Sequence, residues 1–146
     1  PEGEAAYRRL GISATVGAFF HDMARRYREA DLLVCRAGAT TIAEITALGK
    51  PAIFIPFPFA ADDHQTVNAQ VLAGAGAAEL IPEKELTGEK LAERIRFYKA
   101  RPEALSSMAA RARDVGIPDA AERIMGECRR LIMNGESNRA NMSVKG

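Results

Sequence analysis

No apolar run in this chain approaches the roughly 20 residues that a membrane-crossing helix needs. Peripheral contact with a membrane stays open. No signal-peptide pattern opens the sequence. Charge of one sign is also lacking: 20 basic and 19 acidic residues leave a formal net charge of +1. That balance removes the global electrostatic case for nucleic acid. The charges are interleaved, with Arg94, Arg96, Lys99 and Arg101 among Glu89 and Glu93, as on a solvated helix face. Cysteine is scarce. Cys35 and Cys128 lie far apart and show no metal-ligand spacing, and a reducing cytoplasm is the simplest setting for them. Cys35 ends an apolar run and reads as a small core residue. Internal repeats and low-complexity tracts are absent. The composition, 47% hydrophobic and 27% charged, is ordinary for a soluble globular protein. At 146 residues the chain is one domain, or part of one, and long enough for a real core.

Short apolar runs alternate with helical patterns. Ser13 to Val16 reads as a weak first strand, followed by a helix over Asp22 to Glu29. Asp31 to Cys35 is the second strand, and its unbroken apolar character fits burial on both faces. A helix over Thr40 to Leu48 stops at Gly49, with Pro51 beyond. Pro51 to Pro56 is the third strand, with prolines at its ends where they are tolerated. Asp62 to Ala73 reads as a helix and Ala77 to Ile81 as a short fourth strand. Thr87 is the expected N-cap of a helix over Glu89 to Lys99. Pro102 and Pro118 open two further helices, Glu103 to Asp114 and Asp119 to Met133. Residues 134–146 are polar and unpatterned and read as a frayed or disordered tail after a domain over 1–133. Alternating strands and helices with short connections predict an α/β fold with a parallel, doubly wound sheet. Ligands bind such sheets beyond the carboxyl ends of the strands. Three segments are expected there: Phe19 to Met23, Arg36 to Glu44, and Phe57 to Gln65.

The most informative of these begins where Leu32-Leu33-Val34 runs into Cys35-Arg36-Ala37-Gly38-Ala39-Thr40-Thr41-Ile42-Ala43-Glu44. A helix opening in a small-residue turn seats an anion. Its first N–H groups lack internal partners, and its dipole is positive there. Gly38 lets a ligand approach the backbone. Glu44 would repel phosphate, so it suits hydroxyls, and the pairing suggests a nucleotide. The plainer readings are a dipole partner for Glu44 and helix capping for Thr40 and Thr41.

Other chemistry-bearing residues read modestly. Asp62, Asp63 and His64 lack further ligands at metal-binding spacing. The adjacent Asp62 and Asp63 cannot face one another as glycosidase carboxylates do and suit a helix start. In His21-Asp22, the acid reads as a helix N-terminal residue. Phe54, Phe57 and Phe59 read as packing. Arg36 either reaches phosphate or braces its loop. Ser106, Ser107 and Cys128 have no neighbouring base for nucleophilic catalysis.

Three ordered motifs carry a resemblance: the run from Cys35 to Glu44, then Gly49-Lys50-Pro51-Ala52-Ile53-Phe54-Ile55-Pro56, then Asp62-Asp63-His64-Gln65-Thr66-Val67-Asn68-Ala69. Ala109 to Ala112 and Ile117 to Ala120 add to it. From about Thr15 to Leu131 the chain resembles the MurG family of bacterial peptidoglycan glycosyltransferases. Those enzymes move N-acetylglucosamine from UDP onto undecaprenyl-pyrophosphoryl-N-acetylmuramoyl-pentapeptide, converting lipid I to lipid II. The resemblance implies a GT-B architecture, two Rossmann-like domains across a cleft. It implies that this chain is the C-terminal, donor-binding half without its opening strand and helix. The acceptor loops, the proposed catalytic base and the main membrane-facing patch belong to the other half. The resemblance therefore implies no catalytic residue in this chain, no cofactor and no metal.

Carried over by position, Phe20 falls where a backbone group reads the uracil edge, with Phe19 and Met23 around the base. Gly38, Ala39 and Thr41 fall beside the diphosphate, and relatives usually have Ser where this chain has Ala37. Glu44 falls on the ribose acid. Gln65 falls on a glutamine that holds the sugar, and His64 is its neighbour, where some relatives have Gln. Asn68 continues the motif. The implied reaction is an inverting transfer. Helix N–H groups stabilise the leaving diphosphate, and Gln65 and His64 orient the sugar. The implied location is the cytoplasmic face of the bacterial inner membrane, peripherally bound. The partners are UDP-N-acetylglucosamine, lipid I and the missing acceptor domain, with no nucleic acid. Two other readings stand beside this one. One is a noncatalytic nucleotide-sugar-binding module that needs a partner chain. The other is a different GT-B enzyme, such as a UDP-sugar 2-epimerase or a diacylglycerol glucosyltransferase.

Overall fold

The computed structural model describes residues 2–58 and 63–143. Phe59, Asp62 and the last three residues of the expected tail lie outside the described residues. In chain order the elements are α1 (Glu2–Arg9), α2 (Met23–Glu29), β1 (Leu33–Cys35), α3 (Ala39–Leu48), β2 (Ala52–Phe54), α4 (His64–Gly74) and β3 (Glu79–Leu80). A 3-10 turn (Glu83–Glu85) then leads to α5 (Gly88–Lys99), α6 (Pro102–Val115) and α7 (Ala120–Ser143).

Among the described residues, the three strands form one parallel sheet in the order β1-β2-β3. Leu33 pairs with Ala52 and Cys35 with Phe54, while Phe54 pairs with Leu80 on the other side. Central β2 has no solvated face: Ala52, Ile53 and Phe54 are all fully buried. Successive side chains of a strand point to opposite faces, and β2 splits the core accordingly. Ala52 and Phe54 join Ile45, Ala69, Leu72 and Ala112 on one face. Ile53 joins Ile81, Tyr98 and Met108 on the other. Pro51 costs the ladder nothing, because it contributes only its carbonyl, which accepts from the Leu33 N–H at 3.0 Å.

Helix ends follow their chemistry. Gly49 closes α3 at φ 61°, and the next N–H, of Lys50, returns to the Ile45 carbonyl at 3.0 Å. Any side chain there would be strained and would meet the Arg113 guanidinium. Gly116 is a packing glycine: a Cβ would lie 2.6 Å from the Thr46 carbonyl oxygen, so α6 can end against α3 only without one. Thr87 caps α5, its hydroxyl accepting from the Lys90 N–H at 3.1 Å. Pro102 opens α6, its missing N–H being one the helix would leave unbonded.

Two expectations are corrected. Ser13 to Val16 is not a strand; its residues are exposed coil, with no burial or ladder partner to order them. A helix, α1, precedes that coil instead, carrying a Glu4–Arg8 pair one turn apart at 3.0 Å. The last helix runs on to Ser143 and does not stop at Met133. No proline interrupts it, and adding residues to a nucleated helix is cheap.

Candidate functional site

The parallel sheet sends the chain out of β1 and β2 along the same edge, and Gly38, Ala39, Thr41 and Glu44 follow β1 while His64 and Gln65 follow β2. After β1, fully buried Ala37 anchors the turn in the core. Gly38 is the N-cap of α3, with φ −67° and ψ 145°. The first bond inside the helix is Ile42 N–H to the Gly38 carbonyl, at 2.9 Å. The N–H groups of Ala39, Thr40 and Thr41 therefore have no bond within the helix. No side chain caps this end, so the threonine hydroxyls do not fill the capping role that Thr87 fills on α5. A Cβ on Gly38 would meet only the Thr41 hydroxyl, at an ordinary 3.8 Å. Neither backbone conformation nor protein packing demands glycine there, and the space above it is open to a ligand.

Glu44 lies one turn beyond Thr41 on the same face of α3 and is exposed. Its neighbour is Tyr27 of α2. Burial raises the Tyr27 phenol above its ordinary value, and the Glu44 charge and a hydrogen bond to that carboxylate raise it further. Helix α2 is tied to the α3–β2 turn by Lys50, whose ammonium donates to the carbonyls of Arg28 (2.7 Å) and Ala30 (3.0 Å). Composition carried no signal for either contact, since both depend on how α2 packs.

Phe20 precedes α2, half-buried beneath the Arg26 guanidinium, which sits 3.7 Å from its ring centre. Asp22 in turn holds Arg26 at 2.8 Å, and that hydrogen bond lowers the Asp22 carboxyl. Phe19 is 73% exposed and meets the His21 ring edge-on at 4.8 Å. Met23 is also exposed. Because residues 13–16 form no strand, this segment does not leave the sheet edge as expected. Among the described residues no hydrogen bond or ring contact joins Phe20 to the α3 turn.

After β2 and residues 55–58, the described residues resume at Asp63, in the left-handed region at φ 51°, and α4 begins at His64. His64 is exposed. The Gln65 side-chain oxygen accepts from the Phe57 N–H at 3.0 Å. A backbone N–H can only donate, so this contact fixes which end of the carboxamide faces the loop. The NH2 group is left to donate to an oxygen. Asn68 is one turn further along α4 and half-buried. Arg36, left open between phosphate contact and bracing, braces: its Nη1 donates to the carbonyls of Ile55 and Pro56, both at 3.1 Å, and to Glu83 at 2.6 Å.

Other features fall away from this edge. A cavity of about 770 Å³ opens at the opposite end of the sheet, between residues 30–32, Lys50, Pro51 and the helices α5 and α6. No helix of the described residues is long and apolar enough to cross a membrane. No group of three or more acidic, His or Cys side chains among them could hold a metal ion. The cysteines differ sharply. Burial pushes the Cys35 thiol up to about 11, whereas Cys128 is exposed. A thiol reagent near neutral pH should label Cys128 in the folded chain and Cys35 only after denaturation. The unfolded Cys35 thiol ionises near 9.0 and the folded one near 11. Its contribution to stability is therefore complete below pH 9.0 and lost as pH climbs toward 11. A Cys35→Ala chain should show a flatter denaturation midpoint across that window. Equal labelling of both thiols in the folded state would refute the assignment.

The glycosyltransferase family 28 C-terminal domain matches residues 2–124. A UDP-N-acetylglucosamine--N-acetylmuramyl-(pentapeptide) pyrophosphoryl-undecaprenol N-acetylglucosamine transferase from Syntrophus aciditrophicus is 56% identical over 128 residues, covering 88% of this chain and 36% of that protein. The enzyme of the same name from Aeromonas hydrophila is 52% identical over 126 residues, covering 86% of this chain and 35% of that protein. Among solved structures, Acinetobacter baumannii MurG superposes with a TM-score of 0.79 at 36% identity, covering 88% of this chain and 39% of that one. The glycotransferase of kitacinnamycin shares the fold, with a TM-score of 0.52 at 22% identity. The chain thus spans about a third of the length of the curated relatives it matches. Its parallel sheet with flanking helices is the Rossmann-like half of a GT-B enzyme, and the chain belongs to the glycosyltransferase family 28 C-terminal domain family.

Proposed function

We propose that this chain is the donor-binding part of an inverting N-acetylglucosaminyltransferase that makes lipid II from lipid I. The observation that carries the reading is the shared sheet edge. There α3 offers unbonded N–H groups beside Thr41 and Glu44, and α4 offers the Gln65 amide. The diphosphate of UDP-N-acetylglucosamine sits at Gly38, Ala39 and Thr41, where the helix dipole favours the charge that grows on the leaving group. Glu44 accepts from the ribose hydroxyls. Gln65 donates to an oxygen of the sugar, with His64 beside it, so that the anomeric carbon faces the acceptor. Phe20 lies at the uracil end, flanked by Phe19 and Met23. The acceptor hydroxyl and the base that deprotonates it come from the remainder of the enzyme. The whole enzyme works on a lipid-linked acceptor and so sits peripherally on the cytoplasmic face of the bacterial inner membrane.

A chimera tests this. The matched segment of the Acinetobacter baumannii enzyme is replaced by this chain, and transfer of N-acetylglucosamine to a lipid I analogue is measured. The expected result is transfer by the chimera and none by the 146 residues alone. Transfer by the isolated chain would overturn the division of labour. A folded chimera that turns over no donor would overturn the donor assignment.

A further inference from the structure

One guanidinium nitrogen reaches all three loops that leave the carboxyl edge of the sheet. Arg36 stands in the turn after β1. Its Nη1 donates to Ile55 and Pro56, which follow β2, and to Glu83, which opens the 3-10 turn after β3. The carbonyls lie at 3.1 Å and the carboxylate at 2.6 Å. The guanidinium also sits 5.5 Å from the Phe57 ring centre. The pair is mutual: contact with Glu83 raises Arg36, and contact with Arg36 lowers Glu83.

The braced segment is the one that holds Gln65. Ile55 and Pro56 are buried, and the next residue, Phe57, gives its N–H to the Gln65 carboxamide oxygen at 3.0 Å. A displaced 55–57 segment would carry that N–H with it, and the Gln65 amide would turn. On the other side, Arg36 is two residues before Gly38, the cap of the α3 turn. A group held between these points sets the spacing between the two halves of the edge.

Resting on the donor-site reading above, we propose that Arg36, held by Glu83, is a positioning residue for the donor sugar. It acts through the 55–57 segment on Gln65 and does not touch the diphosphate. Its Nη1 is already committed to two carbonyls and a carboxylate, which is the arrangement of a brace. Glu83 would also repel a phosphate drawn to the same guanidinium.

The test uses the 15N-labelled chain with Arg36→Met and, separately, Glu83→Gln. In the ligand-free chain, both substitutions should move the Phe57 backbone amide and the Gln65 side-chain amide resonances. Loss of one oriented hydrogen bond is worth about tenfold, so Arg36→Met should weaken UDP-N-acetylglucosamine by about that factor and UDP by less than about twofold. Glu83→Gln should split the two ligands the same way, less strongly. Arg36→Lys should narrow that split, because the ammonium offers three N–H donors to the same acceptors. Equal weakening of both ligands would mean that Arg36 binds phosphate directly, and unmoved resonances would mean no brace; either overturns the proposal. If Arg36→Met does not fold, Glu83→Gln decides alone. If the parent chain binds neither ligand, the donor-site reading fails, and the two resonances still judge the brace.

Discussion

Glu44→Ala should weaken UDP-N-acetylglucosamine binding by one to two orders of magnitude and leave the fold intact. The size follows from what a carboxylate does for two hydroxyls. A hydrogen bond to a charged group contributes about 1.5–3 kcal/mol, equivalent to roughly 10- to 150-fold in affinity. The fold should survive because Glu44 is exposed, while the α3 residues that enter the core are Ile45 and Thr46. Glu44→Gln should fall between the two, since the carboxamide keeps an acceptor and loses the charge. The ribose assignment has its own signature. A 2′-deoxy donor should bind the parent chain more weakly than the natural one, and should lose that disadvantage in Glu44→Ala. The free protein offers a second readout. Removing the carboxylate withdraws a contact that raises the Tyr27 phenol, so its ionisation should move back toward the ordinary value. Unchanged affinity in Glu44→Ala would sink the ribose role.

The largest stability effect should come from Glu79, which is not among the proposed donor-binding residues. Glu79 ends the sheet in β3 and accepts three hydrogen bonds: Arg94 Nε at 2.6 Å, Arg94 Nη2 at 3.0 Å and the Tyr98 hydroxyl at 2.5 Å. Its side chain keeps 18% of its exposure and that of Arg94 27%, so both charges are largely out of water. Glu79→Ala strands a guanidinium and a phenol together. Removing one partner of a fully buried pair costs about 3–5 kcal/mol, and the residual exposure here brings the expectation to about 2–3 kcal/mol. For a domain of this size, that lowers Tm by roughly 5–10 °C. A matched control is Glu29→Ala. Glu29 pairs with Arg25 at 2.7 Å, but both are mostly exposed to screening water, and Tm should hardly move. Tyr98 adds a pH signature. Burial, and then Glu79, push its phenol up to about 12 from 10.0. The neutral phenol is favoured by folding, so its contribution is complete below pH 10.0 and is lost as pH rises toward 12. Equal thermal shifts for the Glu79 and Glu29 variants would refute the distinction between buried and exposed pairs.

The parallel sheet was readable because β2 has no polar face to confuse its period, and Pro51 and Pro56 bracket it. The α3 turn was readable because Gly38, the threonines and Gly49 mark both ends of one helix. The Ser13–Val16 expectation failed for the opposite reason: four small or β-branched residues look like a strand, but strand formation needs a ladder partner that composition does not supply. The brace at Arg36 was undecidable from spacing, since Glu83 is 47 residues away and the contact exists only through the crossovers. Tyr27 carried no signal at all, because its link to Glu44 depends on how α2 lies against α3. Which end of the Gln65 carboxamide faces away from Phe57 also depends on the fold, as one backbone N–H decides it.

The most direct measurement is a two-dimensional 15N NMR titration of the chain with UDP-N-acetylglucosamine, reading every amide at once. The largest shifts are expected at Gly38, Ala39, Thr40 and Thr41 and at the Gln65 side-chain amide. The lining of the cavity at the other end of the sheet should stay still, Leu48, Gly49 and Leu105 included. Shifts concentrated at that cavity, with the α3 turn silent, would contradict it.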